Sequence, residues 1–206
     1  VSNKLSHSFY RSNNILQSAK DLLGKVLCSS INDKFTSGKI VEVEAYLGSN
    51  DKASHSYNNN KTQRTAPMFA SGGISYVYLC YGIHHLFNVV VGEKNNPCAI
   101  LIRGLEPVDG IDIMLQRRKM SKLFPKLTAG PGILSQALGI STKHSGISLL
   151  GDNIWIKDNH PSDRPEWSDG YDIISSPRVG CQYAGKDAHN PWRFRIKGNK
   201  WVSPAK

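Results

Sequence analysis

Long apolar runs are missing from this 206-residue sequence. Crossing a membrane takes about 18 to 20 consecutive apolar residues, so the sequence predicts no membrane span. Its basic N-terminus leads into a mixed segment and not into the apolar block of a signal peptide. We therefore expect a soluble, intracellular protein with no membrane partner. Nothing between its ends resembles a linker, so we expect one domain over residues 1–206.

Cysteine is scarce, and no C-x-x-C pair is present to hold zinc or a redox disulfide. The sequence also lacks the H-x-E and P-C-x-x-C signature of zinc deaminases, the G-x-S-x-G elbow of hydrolases and a P-loop. His84 and His85 are adjacent, whereas two metal ligands on a helix are spaced by about four residues. We therefore expect neither a metal nor another cofactor. The cysteines are scattered and predicted to be free thiols: Cys28, Cys80, Cys98 and Cys181.

Acidic residues are few, with 16 Asp and Glu against 26 Lys and Arg, which leaves a net charge of +10. This surplus indicates a polyanionic partner, and nucleic acid is the first candidate. Binding of that kind releases counterions and is predicted to weaken steeply with salt. Many basic proteins bind no polyanion, and charge alone leaves the two interpretations about even.

Segments with strand patterns outnumber those with helix patterns and are not regularly interleaved with them. We expect an α+β fold, with a single domain built on a largely antiparallel, curved sheet flanked by helices. The stretch YVYLCYGIHHLFNVVV, at residues 76–91, predicts a protruding β-hairpin. Its β-branched and aromatic residues flank Tyr81-Gly82, where the glycine can adopt positive φ and form the turn.

A tyrosine at a hairpin tip has two explanations. It can pack into a corner of the protein, which is the more common case. Alternatively, it can act as a wedge in DNA. An enzyme that acts on a base must first take that base out of the stack, and an aromatic side chain inserted between base steps recovers part of the lost stacking.

Residues 39–47 form a predicted strand on which Glu42, Glu44 and Tyr46 share one face. A carboxylate there can deprotonate a water for attack on a sugar carbon, and its charge can stabilise an oxocarbenium-like transition state. The pattern does not separate Glu42 from Glu44, and both can also be solvent-facing charges. Residues 48–73 are polar and loop-like, and a loop of that length is usually functional or disordered.

Tyr46, His55 and Tyr78 are candidates for the walls of a pocket that binds a flat base. Stacking on such rings contributes about 1–3 kcal/mol per base, and more if the base is cationic. Each of these residues taken singly is more typical of a protein core. Their combination favours a binding site.

Six stretches resemble, in chain order, the alkyladenine DNA glycosylase family, also called the mammalian-type 3-methyladenine DNA glycosylases. The most specific combination is E-A-Y-L-G followed by H-S, then Y-V-Y-x-x-Y-G with an Asn seven positions after its last Tyr. The likeness covers nearly the whole chain. The stretches are VEVEAYLGSNDKASHS (41–56), TQRTAPMF (62–69), YVYLCYGIHHLFNVV (76–90), AILIRGLEP (99–107), GPGILSQALGI (130–140) and RVGCQYAGKDAHNPWRFRIKGNKWVS (178–203).

The resemblance implies a monofunctional enzyme of base excision repair that acts on double-stranded DNA. Such an enzyme flips out 3-methyladenine, 7-methylguanine, hypoxanthine or ethenoadenine, hydrolyses the N-glycosidic bond and leaves an abasic site. By matched position, Glu44 activates the water, and Tyr46, His55 and Tyr78 enclose the flipped purine. Asn88 lies at the pocket floor, where it helps to exclude guanine by clashing with its exocyclic amine.

The same resemblance makes Tyr81 the intercalating residue and places Arg64 and Arg103 at the DNA backbone. Four nearby positions depart from the pattern of other family members: Asn60, Thr65, Ile83 and His84. The first two bear on backbone contacts, and the last two bear on contacts with the opposite strand.

Two other interpretations stay open. One is a non-catalytic nucleic-acid-binding module with a basic surface. Such a module would not need Glu44, because a carboxylate beside a phosphate path repels the ligand. The other is an RNA-directed hydrolase, which would prefer unpaired RNA to duplex DNA. For the glycosylase we expect a monomer that works wherever the cell keeps its DNA.

Overall fold

Antiparallel strands dominate the computed structural model, which describes residues 3–158 and 170–204. Within these residues, four short α-helices accompany the strands: α1 (His7–Tyr10), α2 (Ile15–Asp21), α3 (Ile111–Arg118) and α4 (Pro131–Leu138). In the described part of the chain, the strands are β1 (Val26–Ile31), β2 (Lys34–Tyr46), β3 (Ser75–Cys80), β4 (His84–Val91), β5 (Cys98–Asp109), β6 (Ile154–Lys157), β7 (Ile173–Ser176) and β8 (Arg193–Ile196).

The strands form one sheet in the order β3-β4-β5-β2-β1-β6. Its long central strand, β2, pairs with β1 along its first half and with β5 along most of its length. Beyond the end of β1, β8 pairs with β2 at residues 42–44, and β7 pairs with β8. Every pairing is antiparallel, so the predicted α+β fold with a largely antiparallel sheet is confirmed.

The hydrophobic core lies between the sheet and the helices. Helix α4 packs against β4 and β5, and α2 packs against β2. Fully buried side chains such as Leu22, Val43, Phe87, Ile102 and Leu134 belong to one cluster. Burying one large aliphatic or aromatic side chain contributes about 1.5–3 kcal/mol, so this cluster holds the sheet and helices in a fixed relation.

Within the described residues, no helix is long and apolar enough to cross a membrane.

The predicted protruding hairpin is formed by β3 and β4. Its register pairs Cys80 with His84 at the last rung, and the backbone N–H of Ile83 donates to the Cys80 carbonyl at 3.1 Å. Tyr81 and Gly82 take φ values of 50° and 72° at the tip. Tyr81 is 91% exposed, so it is not a packed corner.

The segment 48–73 is an ordered loop with three short 3₁₀ turns, at Gly48–Asn50, Tyr57–Asn59 and Ala66–Phe69. It is tied to the rest of the molecule by Asp51, which forms a buried ion pair with Arg178. This anchor holds the loop beside the base of the β3–β4 hairpin. His55 is thereby brought against the rings of Tyr76 and Tyr78.

Candidate active site

Glu42 and Glu44 are both fully buried on β2, but they have different surroundings. The Oε1 of Glu42 accepts hydrogen bonds from the Nε of Arg103 at 2.9 Å and the Nε of Arg193 at 2.7 Å. Ser203 donates to the same carboxylate from its hydroxyl, at 2.8 Å, and from its backbone N–H. The protein itself supplies four hydrogen bonds to this carboxylate, three to Oε1 and one to Oε2. Glu42 is therefore a structural anchor.

Glu44 is less fully occupied. Its Oε1 accepts from the backbone N–H of Val179 at 2.7 Å and lies 3.3 Å from Nη1 of Arg103. Its Oε2 accepts from the Tyr46 hydroxyl at 2.9 Å, and the described residues form no second hydrogen bond to that oxygen. Glu44 lines the floor of a large cleft, whereas Glu42 does not. Of the two carboxylates, Glu44 is therefore the one that borders a space large enough for water.

Arg103 connects the two carboxylates, because its guanidinium contacts both Glu42 and Glu44. Burial alone would lower the pKa of Arg103, but the charges of Glu44 and Glu42 outweigh burial and raise it. Its side chain is almost wholly buried, and it forms part of the cleft wall. Its expected place at the DNA backbone stays a prediction.

The Tyr46 ring forms one wall of the space enclosed by Tyr46, His55 and Tyr78, which we call the chamber. Burial, followed by the charge of Glu44, raises the pKa of Tyr46 well above its usual value, so the phenol stays protonated and donates to Glu44. Arg178 lies behind the ring, with its guanidinium carbon 4.7 Å from the Tyr46 ring centre and 4.9 Å from that of Trp192. The buried pair with Asp51 holds this guanidinium in place.

The opposite side is built from rings on the hairpin and the loop. Tyr76 and Tyr78 stack with 5.5 Å between ring centres, and His55 meets Tyr78 edge-on at 4.5 Å. The Nδ1 of His55 lies 2.8 Å from the Tyr76 hydroxyl. Burial, with a smaller effect from Arg64, lowers the pKa of His55 to about 4. The imidazole is therefore uncharged at neutral pH.

These residues line two connected spaces. The inner cavity, of about 50 Å³, is lined by Tyr46, His55, Tyr78 and Asn88, among others. Asn88 is buried, and its Nδ2 donates to the carbonyls of Tyr76 at 3.1 Å and Leu86 at 3.3 Å. Its amide is thus fixed against the hairpin backbone. The four residues predicted to bind a base do lie together in the structure.

The outer cleft, of about 580 Å³, leads from this cavity to the hairpin tip. Glu44, Tyr46, His55 and Tyr78 border it at the inner end, and Tyr81 borders it at the outer end. The start of helix α4 and the segment 179–181 form further parts of the wall. Arg64 lies outside this wall, exposed on the loop. The predicted wedge and the predicted catalytic carboxylate therefore face one continuous space.

Four contributors to the site were missed by residue-level reasoning on the sequence. Val179 binds Glu44 through its backbone, and Tyr76 orients His55. Arg178 supports Tyr46, and Tyr183 lines both the cavity and the cleft. Three of the four lie at residues 178–183, where the sequence R-V-G-C-Q-Y carries no catalytic pattern. Among the described residues, no three His, Cys, Asp or Glu side chains are grouped to hold a metal ion.

Comparison with known proteins gives a consistent result. The family model described as Methylpurine-DNA glycosylase (MPG) matches residues 8–200. A Chlamydia felis protein named as a 3-methyladenine DNA glycosylase is 45% identical over 95% of this chain and 97% of its own length. Proteins of the same name from Bacillus cereus and Clostridium botulinum are 44% and 43% identical, over 95% and 97% of this chain and 97% and 98% of their own lengths.

Proposed function

This chain belongs to the methylpurine-DNA glycosylase family, and from that premise we propose which residues carry out the reaction, and how. The family membership makes the protein a monofunctional DNA glycosylase of base excision repair. We propose that it flips alkylated or deaminated purines out of duplex DNA and hydrolyses their N-glycosidic bond with an activated water. The observation that carries the proposal is Glu44, which faces the aromatic chamber with one carboxylate oxygen incompletely occupied.

Glu44 activates the water in this mechanism. Its Oε1 is held by Val179 and Arg103, and Oε2 is positioned by Tyr46, so the carboxylate cannot rotate freely. A water bound to Oε2 gives its proton to Glu44 as its oxygen attacks C1′ of the sugar. The C1′–N bond breaks at the same time, and the purine leaves with the bonding electrons. The carboxylate charge also stabilises the oxocarbenium character of the transition state.

The chamber suits a flat purine that carries positive charge. Tyr46 and Tyr78 present aromatic faces, which attract a cation, and His55 is uncharged and does not repel it. A purine alkylated at N3 or N7 leaves as a neutral base, so much of its activation is already in the lesion. We propose 3-methyladenine and 7-methylguanine as substrates, and also hypoxanthine and ethenoadenine, which are neutral in the nucleotide and take up a proton from a water or a side chain as they leave. Asn88, with its amide nitrogen fixed, helps to exclude guanine at the floor.

Tyr81 is the residue that fills the gap left by the flipped purine. Its exposed ring stands at the end of a narrow hairpin, at the outer end of the cleft that holds Glu44. Stacking of the phenol on the neighbouring bases offsets part of the cost of extrusion.

We propose further that Arg64 and Arg103 contact the backbone around the extruded nucleotide. The enzyme acts as a monomer, inside the cell where the DNA is.

The experiment compares wild type with Glu44→Gln on duplexes that carry hypoxanthine, ethenoadenine or 3-methyladenine. Base release is followed by alkaline strand scission under single-turnover conditions in EDTA, and duplex affinity is measured separately. Loss of a general base typically slows a reaction by about 10²–10⁴-fold. We expect a loss of that size for Glu44→Gln with unchanged duplex affinity, and wild-type activity that persists in EDTA.

Three results would contradict parts of this proposal. Near-wild-type base release by Glu44→Gln would refute the role of the carboxylate. Duplex binding by wild type without release of any purine would favour a non-catalytic binding module. Release only from unpaired RNA would favour an RNA-directed hydrolase.

A further inference from the structure

Tyr183 is an aromatic residue of the purine chamber to which the proposed mechanism gives no role. It lines both the inner cavity and the outer cleft, as Tyr46, His55 and Tyr78 also do. The other three are partly buried, whereas Tyr183 is 71% exposed. Tyr183 therefore lies at the boundary between the chamber and solvent.

One hydrogen bond connects the Tyr183 side chain to the neighbouring loop. Its hydroxyl donates to the backbone carbonyl of Ala53 at 3.1 Å. Ala53 belongs to the loop that carries His55, whereas Tyr183 belongs to the 3₁₀ segment Gln182–His189. The side chain thus links two neighbouring chain segments that both contribute to the wall of the inner cavity.

The backbone that carries Tyr183 is anchored, and its side chain is not. Cys181 and Ala184 are buried on either side of it and pack against Ala53. Tyr183 itself is 71% exposed, so solvent surrounds much of its side chain. The ring can therefore rotate further into solvent when its hydrogen bond between two neutral groups is broken.

We propose that Tyr183 is a gate for the purine chamber and limits the size of the purine that enters. In the closed position the phenol is bonded to Ala53 and narrows the passage from cleft to cavity. It swings outward as a purine is flipped in, then closes again beside it. This inference rests on the proposed function, because it requires a purine to enter.

The test measures the ratio of two single-turnover rates, for release of ethenoadenine and for release of hypoxanthine from otherwise identical duplexes. Ethenoadenine carries an additional fused ring, so a size limit slows it more than hypoxanthine. One small group in a pocket changes discrimination by about tenfold or more. We expect Tyr183→Ala to raise the ratio by about tenfold, and Tyr183→Phe, which keeps the ring and loses the bond, to raise it less.

The control is Phe124→Ala, which removes an exposed aromatic ring outside both spaces and should leave the ratio unchanged. A purely structural defect at Tyr183 lowers both rates together and does not change their ratio. If Tyr183→Ala is active and its ratio of ethenoadenine release to hypoxanthine release is no higher than that of wild type, the gate is refuted. The proposed function is then unaffected. A wild type that releases neither base overturns the proposed function, and the gate with it.

Discussion

Two carboxylates of the same type, two residues apart on one strand, have separate tasks because of their hydrogen-bond partners. Glu42 binds two guanidinium groups and Ser203, so it joins β2 to β8 and to the C-terminal segment. Glu44 keeps an oxygen for a ligand at the cleft floor. At the scale of single residues, the two carboxylates thus differ in their partners and in whether they border the cleft.

Replacing Glu42 by Gln is predicted to destabilise the fold more than replacing Glu44 by Gln. Glu42→Gln leaves two buried guanidinium groups, those of Arg103 and Arg193, without their shared counter-charge. Removing one partner of a buried ion pair costs about 3–5 kcal/mol. We expect a loss of that order in the free energy of unfolding for Glu42→Gln, measured by urea denaturation. The loss for Glu44→Gln should be smaller, because Arg103 then keeps Glu42 as a counter-charge and Arg193 keeps its pair with Glu42. Equal losses would show that the two carboxylates do not differ in this way.

At the scale of elements, the hairpin could be predicted from the local sequence pattern, whereas the different surroundings of Glu42 and Glu44 could not. Strand pattern and the Tyr81-Gly82 turn are local properties, which short stretches of sequence encode. The partners that separate the two carboxylates, Val179 and Ser203, are 135 and 161 positions away in the chain. The β2–β5 register also shifts on either side of Glu42, and such an irregularity re-aims side chains that simple alternation treats as equivalent.

At the hairpin tip, Tyr81 has an unfavourable backbone conformation and carries the ring that is proposed to intercalate. A non-glycine residue with φ of 50° lies in the left-handed region, which costs about 1–2 kcal/mol. We predict that Tyr81→Gly is more stable than Tyr81→Ala by about 1 kcal/mol, as measured by urea denaturation. Both variants lose the ring, so both should release purines from duplex at least about tenfold more slowly than wild type, given the stacking energy of one base.

Release from single-stranded DNA should be the same in wild type and in both Tyr81 variants, because no stack has to be opened there. This comparison separates the wedge from the chemistry at Glu44. Wild-type rates on duplex for Tyr81→Gly would contradict intercalation by Tyr81. Similar losses on single strands and on duplex would place the defect in the chamber, and not at the hairpin tip.

At the scale of the whole molecule, the site is assembled from distant parts of the chain. Strand β2 supplies Glu44, the following loop supplies His55, the hairpin supplies Tyr78, and the segment 178–183 closes the chamber. The sheet and its core fix these parts before any ligand is bound. Such preorganisation fits a reaction in which the protein mainly positions a water and an extruded base.

The net charge of +10 gives the last prediction, which concerns affinity for duplex DNA. A protein that contacts about six phosphates loses about a thousandfold in affinity between roughly 50 and 200 mM salt. We expect a steep, linear fall of the logarithm of the binding constant with the logarithm of salt concentration. Because Arg64 is exposed on the loop next to the chamber, Arg64→Gln should lower the slope by about one.

The matched control for this slope is Arg11→Gln. It removes the same charge from an exposed arginine that pairs with Glu93 and lies outside the walls of both spaces. A phosphate contact is a local event, so the slope of Arg11→Gln should equal that of wild type. Equal reductions of the slope in the two variants would mean that affinity for DNA depends only on the total charge of the protein. A slope unchanged by Arg64→Gln would remove Arg64 from the DNA path, and the catalytic role of Glu44 would be unaffected.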